Sequence, residues 1–92
     1  MLNDIKLVLG IKNSTAFDNV LNSYILTGKK DLEMSGIVSS KILETDPLIY
    51  SALMSFVLSM CDTYEYRELS ANAYMIQKDQ LRHYQAYTSV AV

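Results

Sequence analysis

The chain has 92 residues, of which half are hydrophobic and a fifth are charged, and its formal net charge is −2. This length fits one domain, and so high an apolar content excludes an intrinsically disordered chain. A single cysteine excludes an internal disulfide framework, and one cysteine with one histidine is too few for a Cys/His zinc site. We therefore expect a single domain over residues 1–92, with no cofactor and no metal.

The charge distribution argues against a protein that grips nucleic acid. Only eight residues are basic, and the one adjacent pair is Lys29-Lys30. Nucleic-acid binders usually present a basic face, because neutralised phosphates supply most of their affinity. The first residues also lack the basic and apolar runs of a signal peptide, so we expect synthesis in the cytosol. A chain this small and apolar is expected to cover part of its surface by oligomerisation.

The first predicted element is a short helix over residues 3–9. Asn3 or Asp4 supplies the N-cap, and Gly10 ends the helix because glycine adopts the left-handed conformation without strain.

A long second helix is predicted over residues 16–35. Thr15 and Asp18 resemble a capping box at its start. Gly28 lies on its apolar stripe, which predicts a close approach by another helix. Gly36 followed by Ile37 fits a glycine C-cap with an apolar contact. Apolar positions recur every three or four residues along one face: Phe17, Val20, Leu21, Tyr24, Ile25, Gly28 and Leu32.

Residues 38–45 fit either a loop or one helical turn. Asp46 then caps the third helix, and Pro47 suits its first position. The uncharged run 47–61 is only about 22 Å long as a helix, which is too short to cross a membrane. We expect this helix to continue through residue 68.

A break at residues 70–72 is predicted to precede a last helix that ends near residue 87. Residues 88–92 then form an extended tail. The fold class predicted is all-α: a small bundle of about four helices over residues 1–87, in the order short, long, long and medium.

Few residues suggest chemistry. His83 has Asp79 one turn earlier, but such pairs mostly stabilise the helix itself. Cys61 ends an apolar run and is expected to pack in the core. Glu65 and Glu68 lie three residues apart, yet no Glu-x-x-His motif accompanies them. The sequence therefore predicts a protein that is not an enzyme.

Five tyrosines near the end of the sequence leave two interpretations open. They either pack one end of the bundle or form an interface, since tyrosine is enriched at contacts with one wet edge. These are Tyr64, Tyr66, Tyr74, Tyr84 and Tyr87.

The first two helices also permit a helix-turn-helix interpretation, with residues 9–11 as the central turn. Lys6 would then occupy a position that is normally small, and Asn19 one that is normally apolar. Residues 16–27, the supposed recognition helix, contain no Arg or Lys. A small DNA-binding regulator is one alternative, and a regulatory helical bundle that binds one protein partner is another.

The order of these motifs resembles the small head–tail connector proteins (adaptor or head-completion proteins) of long-tailed bacteriophages. The resemblance rests on residues 4–6 and 9–11, on the Asp46-Pro47 start of the third helix, and on the run Tyr-Glu-Tyr-Arg-Glu at 64–68. It covers roughly residues 3–70. Tyr66 stands where relatives often have Asn, and the segment after Glu68 is shorter than in many relatives.

The resemblance implies a structural role. About a dozen copies would form a ring beneath the portal protein, extend the DNA channel, and offer a platform to a stopper or tail-completion protein. DNA would pass through without specific binding. The resemblance places the protein in the virion, at the head–tail interface, after synthesis in the cytoplasm of a host carrying the gene as phage or prophage.

The resemblance also supplies candidate interface residues. Tyr64, Arg67 and Glu68 match its third motif, and are expected to support the end of the third helix or to bridge subunits. Val90 and Val92 are candidates for docking the tail on a neighbour or on the portal, for example by strand addition.

Overall fold

The computed structural model describes residues 1–89 and confirms the all-α prediction. Its five helices are α1 (Leu2–Val8), α2 (Asp18–Met34), α3 (Pro47–Ser59), α4 (Arg67–His83) and α5 (Gln85–Thr88). One 3₁₀ turn, Ser39–Lys41, lies between α2 and α3. Among these residues, no helix combines the length and the apolar character that crossing a membrane requires.

The helix α1 ends as predicted, but α2 begins differently. Gly10 has a φ of +74°, which is the left-handed conformation expected of it. The predicted capping box is wrong, because α2 begins at Asp18 without any side-chain cap. Asp18 Oδ1 instead forms an ion pair with Lys6 Nζ, and the two atoms are 2.9 Å apart. Thr15 contributes only its backbone carbonyl to the turn before α2.

The glycines of α2 and its C-terminus carry out the roles predicted for them. A Cβ on Gly28 would lie 2.9 Å from Cδ1 of Phe56 and 3.1 Å from Cδ2 of Leu53, so α3 approaches closely there. Gly36 has a φ of +106°. The amide of Ile37 donates to the Leu32 carbonyl, and the Ile37 side chain is only 1 % exposed.

The start of α3 is as predicted, because Asp46 Oδ1 accepts the Leu48 amide at 2.9 Å and Pro47 is the first residue. Its predicted end is wrong, since α3 stops at Ser59 and residues 60–66 form a loop. This loop falls where the apolar run gives way to polar residues.

The helix α4 starts at Arg67, so the predicted break at residues 70–72 is also wrong. The amide of Ser70 donates to the Tyr66 carbonyl, as in the first turn of a helix. The loop at 60–66 lets α4 fold back along α3 and bury Tyr74 and Leu81. One uninterrupted helix through residue 68 would forgo that burial.

The core consists of two apolar clusters along the bundle. Near the α2–α3 connection the buried residues are Leu32, Ile37, Ile49, Ala52, Leu53, Tyr74 and Leu81. Near the other end they are Ile5, Leu21, Ile25, Val57 and Leu58. The α2 stripe is therefore only partly core, since Phe17 and Val20 are 53 % and 42 % exposed. Cys61 is half-buried beside the second cluster.

The tail prediction needs one correction. Thr88 ends the short helix α5 and is not extended. Val90 and Val92, the candidates for tail docking, lie outside the described residues, so their predicted role stays a prediction.

Candidate protein-binding surface

A groove of about 570 Å³ opens between the end of α1, the start of α2 and the loop 60–66. We call it the α1–α2 groove. The first two segments contribute Val8, Phe17 and Val20, and the loop contributes Met60 and Tyr64. Side chains of this kind normally supply the contact area of a protein interface. The groove is therefore a candidate site for docking a polypeptide.

The wall formed by loop 60–66 is held by several local contacts. Arg67 Nη1 lies 3.0 Å from Asp62 Oδ1, which ties the loop to the first turn of α4. The rings of Tyr64 and Tyr66 meet edge to face, with centroids 5.8 Å apart. The Tyr64 amide donates to the Cys61 carbonyl at 3.0 Å. The loop thus presents a formed surface to the groove.

The three candidates from the third motif occupy different positions from those expected. They were predicted at the end of α3, but Tyr64 lies in the loop, and Arg67 and Glu68 open α4. Tyr64 is half-buried, lines the groove and packs against the second core cluster. Glu68 is exposed in the first turn of α4, where an acidic side chain interacts favourably with the helix dipole.

The opposite end of the bundle carries a second constellation, which we call the Tyr87 latch. The Tyr87 hydroxyl donates to Asp46 Oδ2 at 2.8 Å, and the Val38 amide donates to the Tyr87 carbonyl at 2.8 Å. Burial and the hydrogen bond to Asp46 raise the pKa of Tyr87. The latch holds α5 against the start of α3.

Two further tyrosines donate to aspartates across the bundle. Tyr74 on α4 donates to Asp31 on α2, and Lys78 Nζ lies 3.2 Å from the same carboxylate. Tyr50 on α3 donates to Asp4 on α1. These contacts link helices that are far apart in sequence.

Burial and the hydrogen bond to the partner shift the pKa values of Asp31 and of both tyrosines in these pairs. Burial raises the pKa of Tyr74, and the carboxylate of Asp31 raises it further. Burial alone would raise the pKa of Asp31, but the hydrogen bonds from Tyr74 and Lys78 outweigh it, so the pKa is lowered. The hydrogen bond to Asp4 raises the pKa of Tyr50 to about 12.

The residues considered for chemistry are not brought together. Cys61 lies at the start of loop 60–66 and donates its thiol to the Val57 carbonyl at 3.3 Å. Burial raises its pKa, which leaves little thiolate at neutral pH. His83 lies at the far end of α4, with Nδ1 2.6 Å from the Asp79 carbonyl. Within residues 1–89, no three His, Cys, Asp or Glu side chains are placed to share a metal ion.

Sequence reasoning missed the groove and the three tyrosine–aspartate pairs. The pairs join residues more than forty positions apart, and no local spacing predicts such contacts. One signal for the groove was present: Phe17 and Val20 widen the α2 stripe beyond what a single neighbouring helix covers.

Residues 1–67 match a family model described as "Phage connector protein". This region runs from α1 to the first residue of α4, so it contains every residue that lines the α1–α2 groove. No curated protein and no solved structure matches the chain.

Proposed function

The chain belongs to the phage connector protein family, and on that premise we propose that it works as a non-catalytic ring subunit at the head–tail junction. About a dozen copies would assemble beneath the portal protein and extend the channel through which DNA leaves the head. The far side of the ring would receive a stopper or tail-completion protein. This places the protein in the virion after synthesis in the cytoplasm of a host with a phage or prophage copy of the gene.

The observation that carries the proposal is the family match over α1, α2, α3 and loop 60–66. Exposed apolar side chains support it, because a ring would cover surface that a monomer leaves in water. Besides the groove residues, these side chains include Met34 on α2, and Leu69, Met75 and Ile76 on α4.

The charge pattern supports passage of DNA without specific binding. Most basic side chains already have a carboxylate within 4 Å, among them Lys6 with Asp18, and Lys29 with Glu44. Paired cations neutralise few phosphates, and weak net acidity keeps a duplex from adhering to the channel wall. The helix-turn-helix alternative loses support for the same reason, because Lys6 on the first helix of that motif is already paired with Asp18.

Electron microscopy of phage particles that lack this protein tests the proposal. We expect heads that package DNA but then lose it and carry no tails. A plasmid copy of the chain should restore tailed particles. If particles without the protein retain DNA and join tails normally, the proposed function is wrong.

A further inference from the structure

We propose that the α1–α2 groove receives residues 90–92 of a second copy of this chain, so that one end of each subunit docks on the opposite end of the next. The inference rests on the proposed function, because it names the surfaces through which connector subunits meet.

The first step is that the two surfaces lie at opposite ends of α3. Loop 60–66, which forms one wall of the groove, follows the last residue of α3. The Tyr87 latch holds α5 to Asp46, which immediately precedes the first residue of α3. The thirteen residues of α3 span about 20 Å. Residues 90–92 extend at most about 11 Å beyond Ser89. They therefore cannot reach the groove of their own subunit, and only a second copy can supply them.

The second step is the match in chemistry. Residues 90–92 are Val-Ala-Val, whose side chains are small, apolar and uncharged. The groove offers the partly exposed side chains of Phe17, Val20 and Met60. Its volume of about 570 Å³ lies within the range of pockets that bury a small ligand. Two valines at alternate positions provide anchors of the kind that peptide grooves accept.

The third step is charge complementarity between the two ends. Glu65 lines the groove and Glu68 follows in the first turn of α4, and neither has a basic partner among the described residues. Lys12, which follows a lining residue in the sequence, also has no carboxylate within 4 Å in that part of the chain. At the latch end, Lys41 and Arg82 likewise have no carboxylate within 4 Å in the described part of the chain. Opposite unpaired charges favour contact between unlike ends over contact between like ends.

This contact is heterologous, since the groove of one subunit meets the tail of another. Heterologous contacts generate a ring when the rotation between subunits closes, and a filament when it does not. The docking therefore fits an assembly built from many identical copies.

The first test measures self-association of the full chain by sedimentation velocity over a range of concentrations. We expect oligomers for the native sequence. The double substitution Val90→Asp/Val92→Asp, and separately Phe17→Glu in the groove, should each weaken association at least about tenfold, because each buries a charge in an apolar contact. Leu26→Glu is the matched control: it changes an exposed apolar residue on α2 outside the groove, and should leave association unchanged. Circular dichroism checks that every variant is folded.

The second test uses Cys61, which lines the groove and is the single cysteine of the chain. A synthetic peptide of residues 82–92 is added to the Val90→Asp/Val92→Asp chain, and alkylation of Cys61 is followed at fixed pH. The peptide should slow alkylation several-fold, whereas a peptide carrying the two aspartates should not.

Three results overturn the docking. The first is equal self-association of the native chain and the tail variant, and the second is loss of association in Leu26→Glu but not in Phe17→Glu. The third is protection of Cys61 in phage particles but not by the tail peptide, which would assign the groove to another protein of the junction. If the tail variant associates as strongly as the native chain and a plasmid copy of it restores tailed particles, only the docking is wrong and the proposed function stands.

Discussion

The two carboxylate oxygens of Asp46 serve two different elements. Oδ1 accepts the Leu48 amide at 2.9 Å and caps α3, while Oδ2 accepts the Tyr87 hydroxyl at 2.8 Å. One side chain therefore starts a helix and anchors the C-terminal segment to that start. The latch therefore also sets where Ser89, the residue after α5, lies.

We expect Tyr87→Phe to lower the free energy of unfolding by about 1 kcal/mol, since it removes one hydrogen bond and keeps the ring. Asp46→Ala should cost more, about 2 kcal/mol, because it removes the cap as well. Asp46→Asn, which still caps, is the matched control. Urea denaturation measures each value. A double variant Asp46→Ala/Tyr87→Phe whose loss equals the sum of the single losses would show that the two residues are not coupled.

Gly28→Ala is expected to destabilise the protein by about 1–3 kcal/mol. Alanine in a helix interior normally stabilises relative to glycine. Here its Cβ would lie 2.9 Å from the ring of Phe56, and that ring packs edge to face on Tyr74 with centroids 5.1 Å apart. The ring therefore has little room to move. Thermal unfolding measures the effect, and the same substitution in a Phe56→Leu background should cost less. A Gly28→Ala protein that is more stable than the native one contradicts the close approach of α2 and α3.

Stability should fall in acid partly through Asp31. Its pKa is lowered in the folded state, so its contribution is present above the unfolded value near 4 and is lost as pH falls through the folded pKa. Asp31→Asn should reduce the slope of stability against pH in that acid range. Urea midpoints measured at several acidic pH values test this. Glu33→Gln, on the exposed side of α2, is the control, and an equal change of slope in both variants would contradict the role of Asp31.

Stability should also fall in alkali through Tyr74. Its pKa is raised on folding, so the stabilisation is complete below the unfolded value near 10 and is lost as pH rises above it. Ionisation of the phenol would place a second negative charge beside Asp31. Tyr74→Phe should therefore flatten the alkaline decline, as measured by denaturation midpoints between pH about 9 and 11. The exposed Tyr84→Phe is the control; if both variants flatten the decline alike, Tyr74 is not responsible.

Tyr64 is expected to matter through packing. Tyr64→Ala should destabilise the chain by about 2 kcal/mol, since it removes a half-buried ring from the second core cluster and from the groove wall. Tyr64→Phe keeps the ring contacts and should be nearly neutral. Restoration of tailed particles by plasmid copies of both variants, with their unfolding midpoints, tests this. Equal effects of both substitutions would show that the hydroxyl, and not the ring, is needed.

The amino-acid sequence by itself determined the local features of this protein. Gly10 and Gly36 adopt positive φ because only glycine does so without strain, and Asp46 with Pro47 starts α3 through contacts within one turn. The apolar period predicted helices, and the order of motifs indicated the family. All of these signals act over a few residues, which is the range that sequence patterns report.

Only the tertiary structure decided where α3 ends and which side chains lie together in the tyrosine–aspartate pairs and in the groove. Residues 60–72 have an acceptable helical pattern whether the chain turns at Met60 or at Ser70, and the burial of Tyr74 and Leu81 against the bundle selects the earlier turn. The tyrosine–aspartate pairs and the α1–α2 groove depend on the orientation of helices distant in sequence. Local periodicity is the same for either orientation, so it carries no information about these contacts, and packing decides between them.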